Sequence, residues 1–151
     1  MIENKVSDIL NSLGKSSIMV LATCHENIVS ARAISCILYN NLLFFQTSKH
    51  SNKYKQIKKN NQVAVCKDNV QIQGIAQDFG STKEKLNMWF TDIYRRYYEE
   101  SYKRYTNLDD EVIIRIVPTV ISIWDYDDFG PYQKILNLDD NECKYIRCKS
   151  L

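Results

Sequence analysis

The stretch Leu42–Asn60, LLFFQTSKHSNKYKQIKKN, runs from an apolar strand through a hydroxyl-rich loop into a helix whose first turn is basic. Leu42–Phe45 is short, wholly apolar and rich in aromatics, the pattern of a buried strand. Thr47, Ser48, His50, Ser51 and Asn52 then bring small hydrogen-bonding groups in succession. Ser51 or Asn52 is a natural N-cap, and the pattern predicts a helix through Lys59 that stops at Asn60-Asn61. A helix N-terminus carries roughly half a positive charge and favours Asp or Glu in its first turn. This one has Lys53 and Lys55 there and no acid. The arrangement repels itself unless an anion sits against it. Free N–H groups, hydroxyls and a lysine converging on one point make a phosphate site; the alternative is a surface helix in a lysine-rich chain.

Outward from this stretch, short strands and tight turns dominate. Val6, Ile9, Leu10 and Leu13 recur at helical spacing before Gly14, so residues 3–13 form an amphipathic helix. Ser17–Cys24 reads as a strand, His25-Glu26-Asn27 as a turn and Ile28–Tyr39 as a second strand, with Val29, Ala31 and Ala33 opposite Ser30, Arg32 and Ile34. Asn40-Asn41 closes a hairpin with Leu42–Phe45. Strands follow at Val63–Cys66 and Val70–Gln77, the latter holding Gly74, which marks a bulge or a close backbone approach. Ser81-x-x-Glu84 reads as a capping box opening a helical region to about Tyr105, with a break near Thr91-Asp92. Val112–Val117 and Val120–Asp125 form a strand pair or one strand kinked at Pro118, followed by a loop at Asp127–Pro131. Gln133–Leu138 and Cys143–Cys148 make a terminal hairpin. The fold class implied is mainly β, an antiparallel barrel with peripheral helices in a single domain.

Composition narrows the function. The 151 residues, 44% hydrophobic and 25% charged with a net charge of +2, are those of an ordinary soluble domain and require neither nucleic acid nor an acidic membrane as partner. No run approaches the roughly 18 apolar residues of a spanning helix, and the acid-containing N-terminus is unlike a signal peptide. Five scattered cysteines and two histidines, without a C-x-x-C pair, argue against zinc and disulfides and for a reducing, cytoplasmic setting. Several cysteines lie in apolar strand patterns, where a buried inert thiol is the default.

In this order of elements the residues resemble the pyridoxamine 5'-phosphate oxidase-like family, the FMN-binding split barrels. The resemblance runs from about Ser17 to Asp78 and includes Ile121–Tyr126. It is carried by Arg32-Ala33-Ile34, by Phe45-Gln46-Thr47 followed by Ser51-Asn52-Lys53, and by Asn69 at the opening of the strand that contains Gly74. The resemblance implies FMN as cofactor, with Arg32, Ala33, Ile34, Gln46, Thr47, Ser51, Asn52, Lys53 and Asn69 around the phosphate and flavin. It also implies a homodimer with the flavin at the subunit interface. Asn52 stands where the family often has arginine, and the C-terminal CKYIRCKSL lacks the family oxidases' tryptophan- and arginine-rich segment. What is implied is therefore FMN binding rather than vitamin B6 oxidation.

Other residues carry two readings each. Arg32, alone in an apolar strand, calls for an anion or an acidic neighbour, or else faces solvent. Trp124 could stack on a flavin or belong to the core. Tyr94, Tyr98, Tyr102 and Tyr105 form one helical stripe flanked by Arg95, Arg96, Lys103 and Arg104. Such a stripe either packs the helix or binds single-stranded nucleic acid. No Ser/His/Asp set or carboxylate pair suggests catalysis by side chains alone, which leaves the redox step to a flavin. The expected function is an FMN-dependent oxidoreductase acting on a small molecule; the alternative is a flavin or haem binding module without turnover.

Overall fold

The computed structural model describes residues 1–148. The elements are α1 (Ile2–Ser12), β1 (Ser16–His25), β2 (Ile28–Tyr39), β3 (Leu42–Ser48), α2 (Asn52–Lys59), β4 (Gln62–Lys67), β5 (Val70–Ser81), α3 (Met88–Tyr97), β6 (Glu111–Asp127), β7 (Gly130–Asn137) and β8 (Glu142–Arg147). The strands form one antiparallel sheet in the order β3-β2-β1-β4-β5-β6-β7-β8, and pairing of β3 with β6 closes the first six into a barrel. β7 and β8 continue the sheet beyond the closure as a flanking hairpin.

Local sequence explains the hairpins. Glu26-Asn27 and Asn40-Asn41 take positive φ at both central positions of two-residue turns, the conformation whose twist suits a right-handed strand pair. Gly74 is both a bulge and a close approach. The register of β5 against β6 shifts between Gln73 and Gly74. A Cβ on Gly74 would lie 2.7 Å from the Val117 carbonyl oxygen and from Ile116 Cγ2. The shift faces Pro118-Thr119, and β6 runs through it as one bent strand.

Alternation sorts the side chains into two cores. Met19, Leu21, Ile34, Leu43, Phe45 and Ile114 fill the barrel, and Val6, Ile9 and Leu10 of α1 cover one of its ends. Ile37, Phe44 and Ile113 point outward from β2, β3 and β6 and pack under Phe90 and Tyr94 of α3. Each such large apolar side chain stabilises the fold by roughly 1.5–3 kcal/mol on burial.

Four expectations need correction. Ser81 is not an N-cap: it ends β5, paired with Val112, and its Oγ accepts from Lys83 N. Glu84 precedes a single 3-10 turn, Lys85–Asn87, and makes no side-chain cap. The helical region breaks at Tyr98 rather than at Thr91-Asp92, continuing as a short turn at Glu99–Ser101 and a π-helical turn at Tyr102–Thr106. The loop expected at Asp127–Pro131 is only a tight turn, since β6 pairs with β7 as far as Asp127↔Gly130. Of the cysteines only Cys36 is buried, and burial pushes its thiol up to about 12; Cys66 is exposed.

Gly74→Ala should lower stability by about 1–3 kcal/mol, because the added methyl clashes with the Val117 carbonyl, which cannot turn aside, as well as with the Ile116 side chain. A urea melt reads this directly, and an unchanged midpoint would show that β6 yields at Pro118.

Candidate functional site

The β3–α2 loop folds around Ser51. Its backbone is extended, and its Oγ accepts from Tyr54 N at 3.2 Å, which makes it the N-cap of α2. Thr47 Oγ1 lies 2.9 Å from Ser51 Oγ. The first turn of α2 contains no acid, and with Tyr54 N–H taken by the Ser51 cap, the Asn52 and Lys53 N–H groups are left without an intrahelical partner.

Six of the residues expected at the site line one cavity of about 370 Å³: Ala33 and Ile34 from β2, Gln46 and Thr47 from β3, and Ser51 and Lys53 at the start of α2. Six more line it without having been expected at the site: Ser35, Ser48, Tyr94, Ser101, Tyr105 and Glu111. A larger cavity of about 710 Å³ lies under α1, lined by Val6, Leu42, Pro118 and Cys143 among others, and includes none of the expected site residues.

Arg32, Asn52, Asn69 and Trp124 do not line the 370 Å³ cavity. Arg32 Nη1 donates to Thr23 Oγ1 at 2.8 Å and to the Leu21 carbonyl at 3.3 Å. Thr23 in turn donates to Gln56 Oε1, and Gln56 Nε2 donates to the Ile28 carbonyl at 3.1 Å. This half-buried network ties α2 to the mouth of the barrel, and Asn52 joins it through Gln56 at 3.4 Å. Among the described residues Arg32 has no carboxylate partner, so its charge stays uncompensated beside the cavity. Asn69 Nδ2 donates to the Trp124 carbonyl at 2.6 Å, and both residues lie at the β4–β5 turn and the far part of β6. Trp124 is 44% exposed and is therefore not core.

Electrostatics set this cavity apart. Burial, then the Arg32 charge, lowers the Lys53 pKa, while Glu111 raises it. An anion beside Lys53 would relieve both unfavourable effects. Glu111 is 5% exposed, and burial pushes its carboxyl up to about 7 despite the opposing effect of Lys53. Gln46 Oε1 accepts from Thr106 Oγ1 at 2.9 Å, but Gln46 Nε2 is buried without an acceptor. An orphaned buried donor of this kind is costly. The donor set of two hydroxyls, an ammonium, a helix N-terminus and an amide fits an anionic phosphate group.

The tyrosine stripe is spent mostly on packing. Tyr94 is buried against Phe90 and bonds Ser101 Oγ at 2.8 Å. Tyr98 donates to the Cys36 carbonyl at 2.9 Å, and Arg95 sits over the Tyr102 ring. Tyr105 is half exposed and faces the cavity. His50, near the site, pairs instead with Asp110 at 2.9 Å in solvent.

A closed six-stranded antiparallel barrel with peripheral helices and an extra hairpin is the split-barrel architecture. The sequence model of the pyridoxamine 5'-phosphate oxidase family matches residues 2–125, and the chain belongs to that family. No curated protein sequence matches the chain significantly. Among solved structures, the chain is similar to General Stress Protein 26 of Bacillus anthracis, at 19% identity and a TM-score of 0.58, over 96% of this chain and 98% of that one. A pyridoxamine 5'-phosphate oxidase-related, FMN-binding protein of Nostoc punctiforme aligns over 97% of this chain and 94% of its own, at 12% identity and a TM-score of 0.61. The haem storage protein HutZ of Vibrio cholerae shares the fold at 13% identity and a TM-score of 0.60, over 78% of this chain and 89% of its own. No helix among the described residues is long and apolar enough to cross a membrane.

The raised Glu111 pKa has a definite sign. Its neutral form is favoured in the fold, so this stabilisation is complete below about pH 4.5 and is lost as pH rises through about 7. Glu111→Gln should therefore raise the melting temperature of the ligand-free protein by roughly 3–10 °C at pH 8 and progressively less toward pH 5. Melting curves across that range test it; a pH-independent difference would show that Glu111 is ionised in the folded protein throughout, its pKa not raised.

Proposed function

We propose that the chain binds FMN, with the phosphate held by Thr47, Ser51 and Lys53 at the start of α2, and that the flavin exchanges electrons or hydride with a small molecule. The observation that carries the reading is the convergence of those three side chains on an acid-free helix N-terminus in one cavity. Family membership supports it, as does the FMN-binding protein among the fold relatives. When bound, the isoalloxazine supplies the redox chemistry. The chain's own part is to hold and orient: Lys53 and the hydroxyls anchor the phosphate, and Arg32, fixed by Thr23, adds positive potential behind it.

Lys53→Ala should weaken FMN binding roughly 10- to 100-fold, the loss of one charge-assisted contact of about 1.5–3 kcal/mol. Arg32→Ala should weaken it less, with the barrel still folded by circular dichroism. Fluorescence titration of FMN decides: unchanged affinity in both variants removes the phosphate assignment.

The same reading includes a homodimer. The outward faces of β1, β2 and β4 carry Ile18, Val20, Ala22, Val29, Ala31, Ala33 and Ala64 on adjacent registers. Ile18, Val20 and Val29 are each 47–70% exposed, an apolar patch of the kind that marks an association surface. The patch adjoins the cavity through Ala33, and the registers of β5, β6 and β7 continue its face to Trp124. In a twofold dimer, Asn69 and Trp124 would serve the second subunit's flavin. Val20→Glu should convert the dimer to monomer in sedimentation analysis and weaken FMN binding; a dimer with unchanged affinity would place the interface elsewhere.

A second reading, a haem or flavin carrier without turnover, is favoured by the likeness to the haem storage protein. The absorption spectrum of the loaded protein separates flavin from haem. Bleaching by reduced pyridine nucleotides or another donor separates an oxidoreductase from a carrier.

A further inference from the structure

The cavity holds one group that a simple anion seat would avoid. Glu111 opens β6 directly opposite Ser48, is 5% exposed, and lines the cavity together with Lys53. Its main chain is fully engaged: Glu111 N donates to the Leu108 carbonyl, while its own carbonyl accepts from Thr82 N and Thr82 Oγ1. Its carboxyl takes no hydrogen bond and no ion pair among the described residues. Facing it are Lys53 from α2, Tyr94 from α3 and Tyr105 from the π-helical turn, with the Arg32 charge behind Lys53. The neighbouring charges are engaged with one another: Asp110 with His50, and Asp109 with Lys83. Gln46 Nε2, buried in the same cavity wall, lacks an acceptor. The cavity thus presents donors without an acceptor and a carboxyl oxygen without a donor.

We propose that Glu111 makes this cavity select a protonated tetrahedral anion, accepting a hydrogen bond from a ligand P–O–H, or carrying that proton itself, so that one proton enters with the phosphate group. The inference rests on the reading of the cavity as a phosphate seat. The physical reason is repulsion: an ionised Glu111 facing a fully deprotonated oxyanion places like charges at close range in a poorly solvated site. A shared proton turns that repulsion into a charge-assisted hydrogen bond. Two ligands offer this chemistry. Free inorganic phosphate keeps a P–O–H throughout neutral pH. A phosphate monoester such as FMN, whose second pKa is about 6, must take up a proton or meet a neutral Glu111.

Amide NMR titrations with sodium phosphate and sodium sulfate, at about pH 8 and about pH 6 and constant ionic strength, test the proposal. Both ions are tetrahedral dianions at the higher pH, but only phosphate carries a proton. The expected result is at least tenfold tighter binding of phosphate than sulfate at the higher pH, with the gap closing at the lower pH as Glu111 takes its own proton. In Glu111→Gln, whose amide can donate to either ion, the gap should collapse at both pH values. Should that variant not fold, the wild-type ratio and its pH dependence still decide. Equal binding of the two ions at both pH values overturns the proposal and leaves the phosphate seat standing. Absence of any shift with either ion or with FMN overturns the phosphate seat itself. An added FMN titration distinguishes the source. FMN that displaces phosphate, with affinity falling as pH rises above about 7, assigns the site to the monoester. Phosphate binding undisturbed by FMN assigns it to the free ion and overturns the FMN reading.

Discussion

Closure of the barrel rests on the antiparallel pairing of β3 with β6, from Leu43↔Ile116 to Ser48↔Glu111. This ladder joins segments more than sixty residues apart in the chain, and two packing faces depend on it. Leu43, Phe45, Ile114 and Ile116 point into the barrel, while Phe44 and Ile113 point out and receive α3. A one-residue slip would exchange the two faces. It would also remove Glu111 from Ser48 and dismantle the cavity, because the last rungs of the ladder form its wall. Fold and site therefore share one register.

The electrostatics of the site follow from where the ladder ends. Lys53 stands at a helix N-terminus that already favours negative charge, with the half-buried Arg32 nearby. No carboxylate among the described residues pairs with either cation. Glu111 acts on Lys53 as part of a counter-field, yet burial keeps its own carboxyl from ionising readily at neutral pH. A Glu111 only partly ionised at neutral pH leaves the cavity net positive beside Lys53 and Arg32. Such a balance accommodates an anion without committing the site to a permanent internal ion pair, whose desolvation would cost more than a surface pair returns.

What could be read from the chain was local. Asn40-Asn41 marked its turn, Ser51 its cap and Gly74 its bulge, because each is decided within a few residues by φ preference, capping or steric room. The six residues that meet in the cavity from β2, β3 and α2 were also legible, through their resemblance to a known phosphate-binding pattern and the acid-free first turn. Glu111 was not. It stands at the head of the run Val112–Val117, where an acid reads as a polar strand boundary, and only the long-range ladder puts it opposite Ser48. The one available signal was its place next to that run, which a strand buried on both faces makes more hazardous for a charge. Ser81-x-x-Glu84 misled for a related reason: β5 gains partners on β6 through Ser81, and tertiary pairing overrode a local helix signal. Tyr98 likewise ends α3 where its hydroxyl reaches the Cys36 carbonyl, a contact invisible in helical spacing.

The outer face of the sheet explains the residues left away from the cavity. Strand alternation leaves Val29, Ala31 and Ala33 outward on β2 with Val20 and Ala22 opposite on β1. Among the described residues these small and β-branched side chains have no covering helix, since α1 covers a barrel end and α3 covers the wall formed by β2, β3 and β6. The same sheet carries Trp124 outward at the start of the flanking hairpin, its carbonyl held by Asn69. A tryptophan fixed in place by an amide, yet nearly half exposed, is poorly accounted for within one subunit. Burying it against a second copy would both cover the apolar face and bring Asn69 to a neighbouring cavity. On the proposed reading, the recognition surface is divided: phosphate-type donors at the barrel mouth, and an aromatic platform displaced along the sheet.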